Sequence, residues 1–158
     1  MLWMTFLSIR QELRLTCSTL RTMAASLYIV VEGEDPGYDI FVNGHAVARN
    51  EESLHRLAGT LHVIPLLEFF SADEDSMALL LDQGTGNPEW ARHLPEPQWF
   101  SGEEGLETVR ALIRFLEATP AALGSETPPV LIELKEFERV LTKTATRGLR
   151  WHLAASWR

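Results

Sequence analysis

A long helical pattern with a clear first residue is the feature that most constrains how this chain folds. Ser101 and Glu104 have the spacing of a capping box, in which each side chain binds a backbone N–H at the start of a helix. Apolar residues then recur at helical spacing as far as about Thr119, at Leu106, Val109, Leu112, Ile113 and Leu116. A stripe this wide has to be buried against other elements, so the pattern predicts a helix that packs on a core.

A second helical pattern follows and leads into an alternating segment. Thr127 is predicted to cap this helix, with Pro128 at the first helical position and Gly148 at its end. The predicted buried face consists of Val130, Leu131, Leu134, Phe137, Leu141 and Ala145. The closing segment 149–156 alternates between apolar and more polar residues, which predicts a strand with one apolar face.

The first half of the chain predicts two further strands. Residues 27–31, LYIVV, form an unbroken apolar run and predict a central strand covered on both faces. Residues 34–37, EDPG, have the composition of a turn and end that strand. Residues 39–49, DIFVNGHAVAR, are ambiguous: Asn43-Gly44 could close a hairpin between the strand-like runs IFV and AVA, or GHAVAR could form one helical turn, which the pattern slightly favours. Residues 66–70, LLEFF, predict the next strand.

Two further helices are predicted before the long helical pattern, one on each side of residues 66–70. Asn50 is predicted to cap a helix that ends before Pro65, with a buried face of Leu54, Leu57, Ala58 and Leu61. Ser71 with Glu74 forms another capping box and opens the second of these helices. Residues 84–98 are predicted to be a long loop, and loops of this length are often functional.

The number and order of these elements predict the fold class. At 158 residues the chain is long enough for one domain with its own core. Strands and helices are mixed along the chain, so we expect an α+β domain with a small, mostly antiparallel or mixed sheet. About four to five helices are expected to pack on that sheet.

Residues 1–22 differ in composition from the rest of the chain, with arginines but almost no acidic residues and no glycine or proline. Such a segment fits an organellar presequence, a docking helix, or translated sequence upstream of the true start. Met23 is followed within a few residues by the first predicted strand, as is usual at the start of a domain. We therefore expect an N-terminal extension at 1–22, a native start at Met23, and one domain over 23–158.

Charge and cysteine content exclude several classes of partner and compartment. Acidic residues outnumber basic ones by 22 to 14, giving a net charge of −8, so a nucleic-acid backbone would be repelled. The apolar run at the N-terminus stops at Arg10, too short to span a membrane. Cys17 is the single cysteine and cannot form an internal disulfide, which indicates a reducing compartment and predicts a cytoplasmic protein.

No cofactor is predicted from the motifs. The glycines form neither a dinucleotide-binding fingerprint nor a phosphate-binding loop. The histidines have none of the spacings that bind zinc or iron within one segment.

Several segments resemble a group of bacterial proteins with no assigned activity: SLYIVVEGEDPGYDIFVNGHAVAR, PLLEFFSADE, PQWFSGEEGLETVRALIRFLEA and LKEFERVLTKTATRGLRWHLAASW. The resemblance runs from about Ser26 to Trp157 and supports a start at Met23. In outline, the second half also resembles the YfbM-like proteins of unknown function, in which a capped helix precedes a long helix, a glycine and a final strand. Neither group has agreed catalytic residues, so the resemblance implies a fold and no residue roles.

One functional hypothesis is an enzymatic site. Glu68 lies within the apolar segment LLEFF, and a buried carboxylate has to be paired or to have a raised pKa. His152 and Arg150 lie together on the closing strand and would suit an anionic group. If Glu68 and His152 lie on neighbouring strands, they can pair as general base and orienting group. The ordinary alternatives are a Glu68 that reaches water and a partly exposed sheet face for the other two.

The carboxylates around the first turn are weak candidates for a metal site. Glu32, Glu34, Asp35 and Asp39 are close in sequence. A calcium loop needs alternating oxygen ligands over about twelve residues and a closing glutamate, which this segment lacks. Exposure in a turn explains these side chains sufficiently, so no metal is predicted, and Glu32, Glu34 and Asp35 remain the weak candidates.

A binding surface is the hypothesis that the sequence favours. Trp90 in the long loop is expected to be exposed beside an acidic rim, which suits contact with another protein. Trp99 and Asp39 are weaker members of this surface, since Trp99 also fits a core anchor. We therefore predict a small binding or interaction module, in regulation or toxin neutralisation, with an unidentified protein partner. It would be a monomer or a homodimer; the alternative is a small enzyme that uses Glu68, His152 and Arg150.

Overall fold

The structure is a computed structural model that describes residues 26–71 and 97–156. Several predictions lie outside the described residues: the extension 1–22, the start at Met23, the helix after Ser71, most of the loop 84–98, and Trp90.

The described strands form a small antiparallel sheet with its last strand in the centre. β1 (Ser26–Val31) pairs along one edge of β3 (Arg150–Ser156), with Ile29 opposite Leu153. β2 (Phe100–Ser101) pairs along the other edge, which gives the order β1-β3-β2. The last strand therefore lies between β1, from the start of the described chain, and β2, which directly precedes the long helical pattern.

The prediction that the first strand is central is wrong. Burial alternates along β1, where Leu27, Ile29 and Val31 are buried and the residues between them are half-buried. Residues 151–154 of β3 are all buried, so the predicted division of the last strand into an apolar and an exposed face is wrong as well. Valine and tyrosine also suit a half-buried face, so an unbroken apolar run does not identify the central strand.

The segment after β1 forms helices where the pattern favoured them. α1 (His45–Arg49) is the single helical turn that was preferred to a hairpin, and α2 (Glu51–Leu61) follows directly. Asn50 lies between them, but its side chain does not cap α2 as predicted. Its Nδ2 donates instead to the carbonyl of Ala46 (2.9 Å) and to Oε2 of Glu126 (3.0 Å). Asn50 thus ties α1 to the region just before the last helix.

The strand predicted at residues 66–70 is also wrong. Leu66–Phe69 form a 3₁₀ turn, and only Phe70 makes a bridge to Leu153 of the sheet. In a 3₁₀ turn, residues three apart lie on the same side, and both Leu66 and Phe69 are buried. The ring of Phe69 contacts that of Trp151 at a centroid distance of 5.1 Å. The apolar pattern therefore predicted the burial of this segment correctly, but it predicted a strand where the structure has a 3₁₀ turn.

α3 (Gly102–Ala118) begins with the predicted capping box, which is confirmed. The Ser101 hydroxyl accepts the N–H of Glu104 at 3.2 Å, and the Glu104 carboxylate accepts the N–H of Ser101 at 3.0 Å. Each of these backbone groups would otherwise lack a partner at the start of the helix.

α4 (Thr127–Thr146) begins one residue earlier than the pattern predicted. Thr127 is the first helical residue instead of the cap, and its hydroxyl accepts the N–H of Leu123 at 3.0 Å. Gly148 has a φ of 65° and turns the chain from α4 into β3, as predicted.

α3 packs closely on α4 and on the sheet because two of its residues are glycines. A Cβ at Gly105 would overlap the ring of Trp151, and one at Gly102 would lie 2.6 Å from the backbone nitrogen of Ala145. Trp151 is fully buried, and its indole N–H donates to the carbonyl of Ser101 at 2.9 Å. The core therefore centres on Trp151, between α3, α4 and the sheet.

The described residues form an α+β fold with a small antiparallel sheet and four α-helices, in agreement with the predicted class. None of the helices within these residues is both long enough and apolar enough to cross a membrane.

Candidate functional site

The segment between β1 and α1 lies against α4 and is held there by side chains of that helix. We name residues 32–44 the acidic loop, after Glu32, Glu34, Asp35 and Asp39. Arg139 donates to two carbonyls of the loop, those of Asp39 (3.1 Å) and Phe41 (3.0 Å). Glu136 accepts the N–H of Asn43 at 3.0 Å. Because these contacts bind backbone groups, they fix the path of the loop whatever its own side chains are.

The first part of the acidic loop is held by the end of the same helix. Arg147 donates to the carbonyl of Pro36 at 2.8 Å, and its guanidinium lies 5.1 Å from the centroid of the Tyr38 ring. The Tyr38 hydroxyl is 2.6 Å from that of Thr144, which is buried. A cation over an aromatic face and a buried hydroxyl pair both fix the orientation of Tyr38.

A buried carboxylate holds the end of the loop where it enters α1. Glu133 is 7% exposed, and its two carboxylate oxygens accept the N–H groups of Ala46 (3.0 Å) and Val47 (2.8 Å). Burial raises the pKa of Glu133, while the two backbone hydrogen bonds act in the opposite direction. The carboxylate satisfies two N–H groups at the start of α1, where Gly44 provides no side-chain cap.

Phe41 is the most exposed large apolar residue of the described chain. The residue is 71% exposed, although its backbone N–H and its carbonyl both form hydrogen bonds. The N–H of Phe41 donates to Oδ1 of Asp39 at 2.9 Å, and its carbonyl accepts from Arg139. Ile132 is 64% exposed and lies one helical turn before Glu136 on α4. The acidic loop thus presents an aromatic side chain to solvent from a backbone that is held in place.

Two of the predicted site residues contact each other, in a pair that the sequence did not predict. Nε and Nη2 of Arg150 donate to one oxygen of Glu32 at 3.1 and 2.9 Å, and the Arg150 N–H donates to the other at 2.8 Å. These hydrogen bonds from Arg150 hold the pKa of Glu32 below its usual value. Arg150 was a candidate for binding an anionic group and Glu32 a candidate metal ligand. Each is instead paired with the other, where the acidic loop leaves β1.

Two of the other turn carboxylates, Asp35 and Asp39, have structural roles. Oδ1 of Asp35 accepts the N–H of Gly37 at 2.8 Å, and Asp39 binds Phe41 in the same way. Glu34 is exposed. Among the residues that the structure describes, no three histidine, cysteine, aspartate or glutamate side chains are grouped so that they can hold a metal ion.

The enzymatic candidates occupy different environments. His152 is 2% exposed and its ring lies 4.9 Å from that of Trp99, whereas Arg150 is exposed. The expectation of a partly exposed face for His152 is therefore wrong. Glu68 is half-buried and lies in the 3₁₀ turn, so it is not on a strand beside His152. A contact between Glu68 and His152 stays a prediction.

The most informative residues of this site were missed by the sequence reasoning. Glu133 left a signal, because it lies on the buried stripe of α4, three residues after Val130 and four before Phe137. Arg139 left none, since its partners are backbone carbonyls of a segment far away in sequence. Phe41 was assigned to an ambiguous strand-like segment, and Trp90 was taken as the exposed aromatic in its place.

A comparison with protein-family models, curated proteins and solved structures finds no match to this chain.

Proposed function

We propose that this chain is a binding or protein-interaction module and that its acidic loop is a contact surface. The observation that supports this most is Phe41, which is 71% exposed although both its backbone N–H and its carbonyl are bound. Single exposed apolar residues are common and need no explanation on their own. Phe41 differs from such residues because it is a large aromatic side chain on an irregular loop that Arg139 holds in place, which suits contact with another protein.

The way in which the loop is held favours binding over mobility. Three side chains of α4 and that of Arg147, the residue after it, bind the backbone of the loop and α1; the α4 residues are Glu133, Glu136 and Arg139. A surface that is ordered before it meets its partner loses less conformational entropy on binding. Aromatic side chains contribute a large share of the binding energy at protein interfaces, since they bury much area with few rotatable bonds.

The charge of the loop favours a basic partner. Glu32 and Arg150 neutralise each other, which leaves the exposed carboxylates of Glu34, Asp35 and Asp39. The guanidinium groups of Arg139 and Arg147 lie on the backbone of the loop and offset part of this charge, so the acidic excess of the loop is small. The chain as a whole carries a net charge of −8. Complementary charge on a partner would steer the encounter and suppress wrong partners. Neutralisation of a basic toxin, or regulation of a basic protein, are settings that fit this chemistry.

The experiment that tests the proposal is site-specific photo-crosslinking in cells that naturally express the chain. A photoreactive phenylalanine analogue replaces Phe41 in one variant and Ile64, which is 45% exposed outside the loop, in another. We expect a discrete adduct with a basic protein from position 41 and not from position 64. Arg139→Ala removes the two hydrogen bonds to the carbonyls of Asp39 and Phe41 and should reduce this adduct. Equal adducts with the same basic protein from both positions would count against the acidic loop as a contact surface.

A further inference from the structure

A second surface, formed by α2 and α3, also has the character of a docking site. An open groove of about 390 Å³ lies between the end of α2 and the exposed side of α3. It is lined by Leu61, Val63, Glu107, Ala111, Arg114 and Phe115. None of these residues belongs to the acidic loop, so this surface is independent of the proposed function.

The apolar part of the groove is fixed in place. Leu61, Val63, Ala111 and Phe115 are all half-buried, so each leaves part of its side chain in water. Ile64, beside them in the chain, is 45% exposed. The hydroxyl of Thr108 on α3 donates to the carbonyl of Ile64 at 2.6 Å, which ties the segment after α2 to α3. The groove is therefore a preformed apolar surface and not an opening between unconnected elements.

The side chains of the two charged residues of the groove lack a partner among the described residues. Within the described part of the chain, Glu107 and Arg114 are exposed and form no hydrogen bond or ion pair. Other charged residues of α3 do pair across to α4, where Arg110 binds Glu138 (3.1 Å) and Glu117 binds Lys135 (2.8 Å). The charges that face the groove remain available to another molecule.

The spacing of these charges is self-complementary. Glu107 and Arg114 lie two helical turns apart on one side of α3, and the small residue Ala111 lies between them. If two such helices run antiparallel across a two-fold axis near Ala111, Glu107 of each copy lies opposite Arg114 of the other. Two like charges at these positions would repel each other in the same arrangement.

We propose that the groove is the interface of a homodimer and that its occupant is α3 of a second copy of this chain. The small side chain of Ala111 allows the two helices to approach closely at the axis, and the apolar groove residues cover the contact on either side. Such an interface is isologous, with the same patch on both copies. The antiparallel alignment also brings Glu103 near Ala118 of the other helix and Glu104 near Glu117, two carboxylates that are already bound, in the capping box and to Lys135 respectively.

The whole-chain charge opposes this association and sets its expected strength. Each copy carries a net charge of −8, so two copies repel each other at long range. The local pairs and the apolar contact have to overcome that repulsion. The dimer is therefore expected to depend on protein concentration, in equilibrium with a monomer of 17.8 kDa.

Sedimentation equilibrium of the full chain and of charge-reversal variants tests the proposal. Glu107→Arg and Arg114→Glu each turn both symmetric pairs into repulsions, and each should raise the dissociation constant at least about tenfold. The double variant Glu107→Arg/Arg114→Glu restores both pairs in reversed order and should dimerise like the wild type. Both residues are exposed, so all variants should keep the wild-type circular dichroism spectrum.

A mixture of the two single variants provides a second test. Glu107→Arg alone and Arg114→Glu alone should be monomers, but a mixture should form a heterodimer, because each arginine then faces a glutamate. A wild type that remains a monomer at every concentration would overturn the proposal and leave the groove to a different protein. A dimer that is insensitive to the single reversals would overturn it too. Phe41→Ala should leave dimerisation unchanged, so this proposal and the proposed function can fail separately.

Discussion

Glu133 is a single residue of α4 that caps the start of a different helix, α1. Its two oxygens accept the N–H groups of Ala46 and Val47 inside the protein. In Glu133→Gln only one of the two side-chain atoms can accept, and the amide nitrogen would face a backbone N–H. We expect the free energy of unfolding to fall by about 1–3 kcal/mol, because a buried donor loses its partner. Urea unfolding followed by circular dichroism measures this change.

Glu136→Gln is the matched control for that substitution. Glu136 lies one turn further along α4 and accepts a single N–H, that of Asn43, at an exposed position. A glutamine can still accept that hydrogen bond, so the stability should change by no more than about 0.5 kcal/mol. Equal losses for the two variants would mean that the paired, buried hydrogen bonds of Glu133 do not have the role assigned to them.

The residues that form this site show why a sequence predicts only part of it. The capping box of Ser101 and Glu104 is local, and its spacing alone identifies it. Contacts such as that of Arg139 with the carbonyl of Phe41 join residues far apart in the chain, and no pattern within either segment records them. Side-chain periodicity predicts which residues are buried, but not which backbone groups they meet.

At the scale of elements, the close approach of α3 to the sheet depends on glycine. A Cβ at Gly105 would overlap the ring of Trp151, so Gly105→Ala should push α3 away from the core. We expect a loss of about 1–3 kcal/mol in the free energy of unfolding, as for overpacked cores. Thermal and urea unfolding of the purified variant measure the loss.

Gly59 provides the comparison, because it also lies within a helix. A Cβ at Gly59 would meet nothing within 4 Å, and Gly59→Ala should stabilise α2 by up to about 1 kcal/mol through the better helix propensity of alanine. If Gly105→Ala were as stable as Gly59→Ala, the close packing of α3 on Trp151 would not be needed for the fold.

The predictions for whole elements succeeded or failed for a common reason. Helices with sequence signals at their ends were predicted to within about a residue, as α3 and α4 show, because their start and stop residues are local. The position of β1 at an edge and the 3₁₀ turn at Leu66–Phe69 depend on which elements cover them. That coverage is decided by distant residues, so an apolar run alone could not predict it.

At the scale of the whole molecule, the pair of Glu32 and Arg150 joins the acidic loop to the last strand. Because the pKa of Glu32 is lowered in the folded state, its contribution to stability is present above the usual glutamate pKa, about 4.3, and is lost as the pH falls through the lowered value. Glu32→Gln should therefore be less stable than the wild type near neutral pH, and the difference should shrink in acid. Urea unfolding across this pH range measures it.

Glu34→Gln is the control for that pH dependence, because Glu34 is an exposed carboxylate of the same loop without an ion pair among the described residues. The free energy of unfolding of Glu34→Gln should equal that of the wild type at every pH. A difference between Glu32→Gln and the wild type that stays constant down to the most acidic pH would contradict the role assigned to the pair.

The central claim is that the acidic loop binds a basic protein through Phe41. Isothermal titration of the partner identified by crosslinking, against purified wild type, Phe41→Ala and Ile64→Ala, tests it most directly. We expect Phe41→Ala to raise the dissociation constant at least about tenfold, with an unchanged melting temperature, and Ile64→Ala to have no effect. Added salt should weaken wild-type binding, because it screens the charges of the loop. Equal dissociation constants for wild type and Phe41→Ala would contradict the claim.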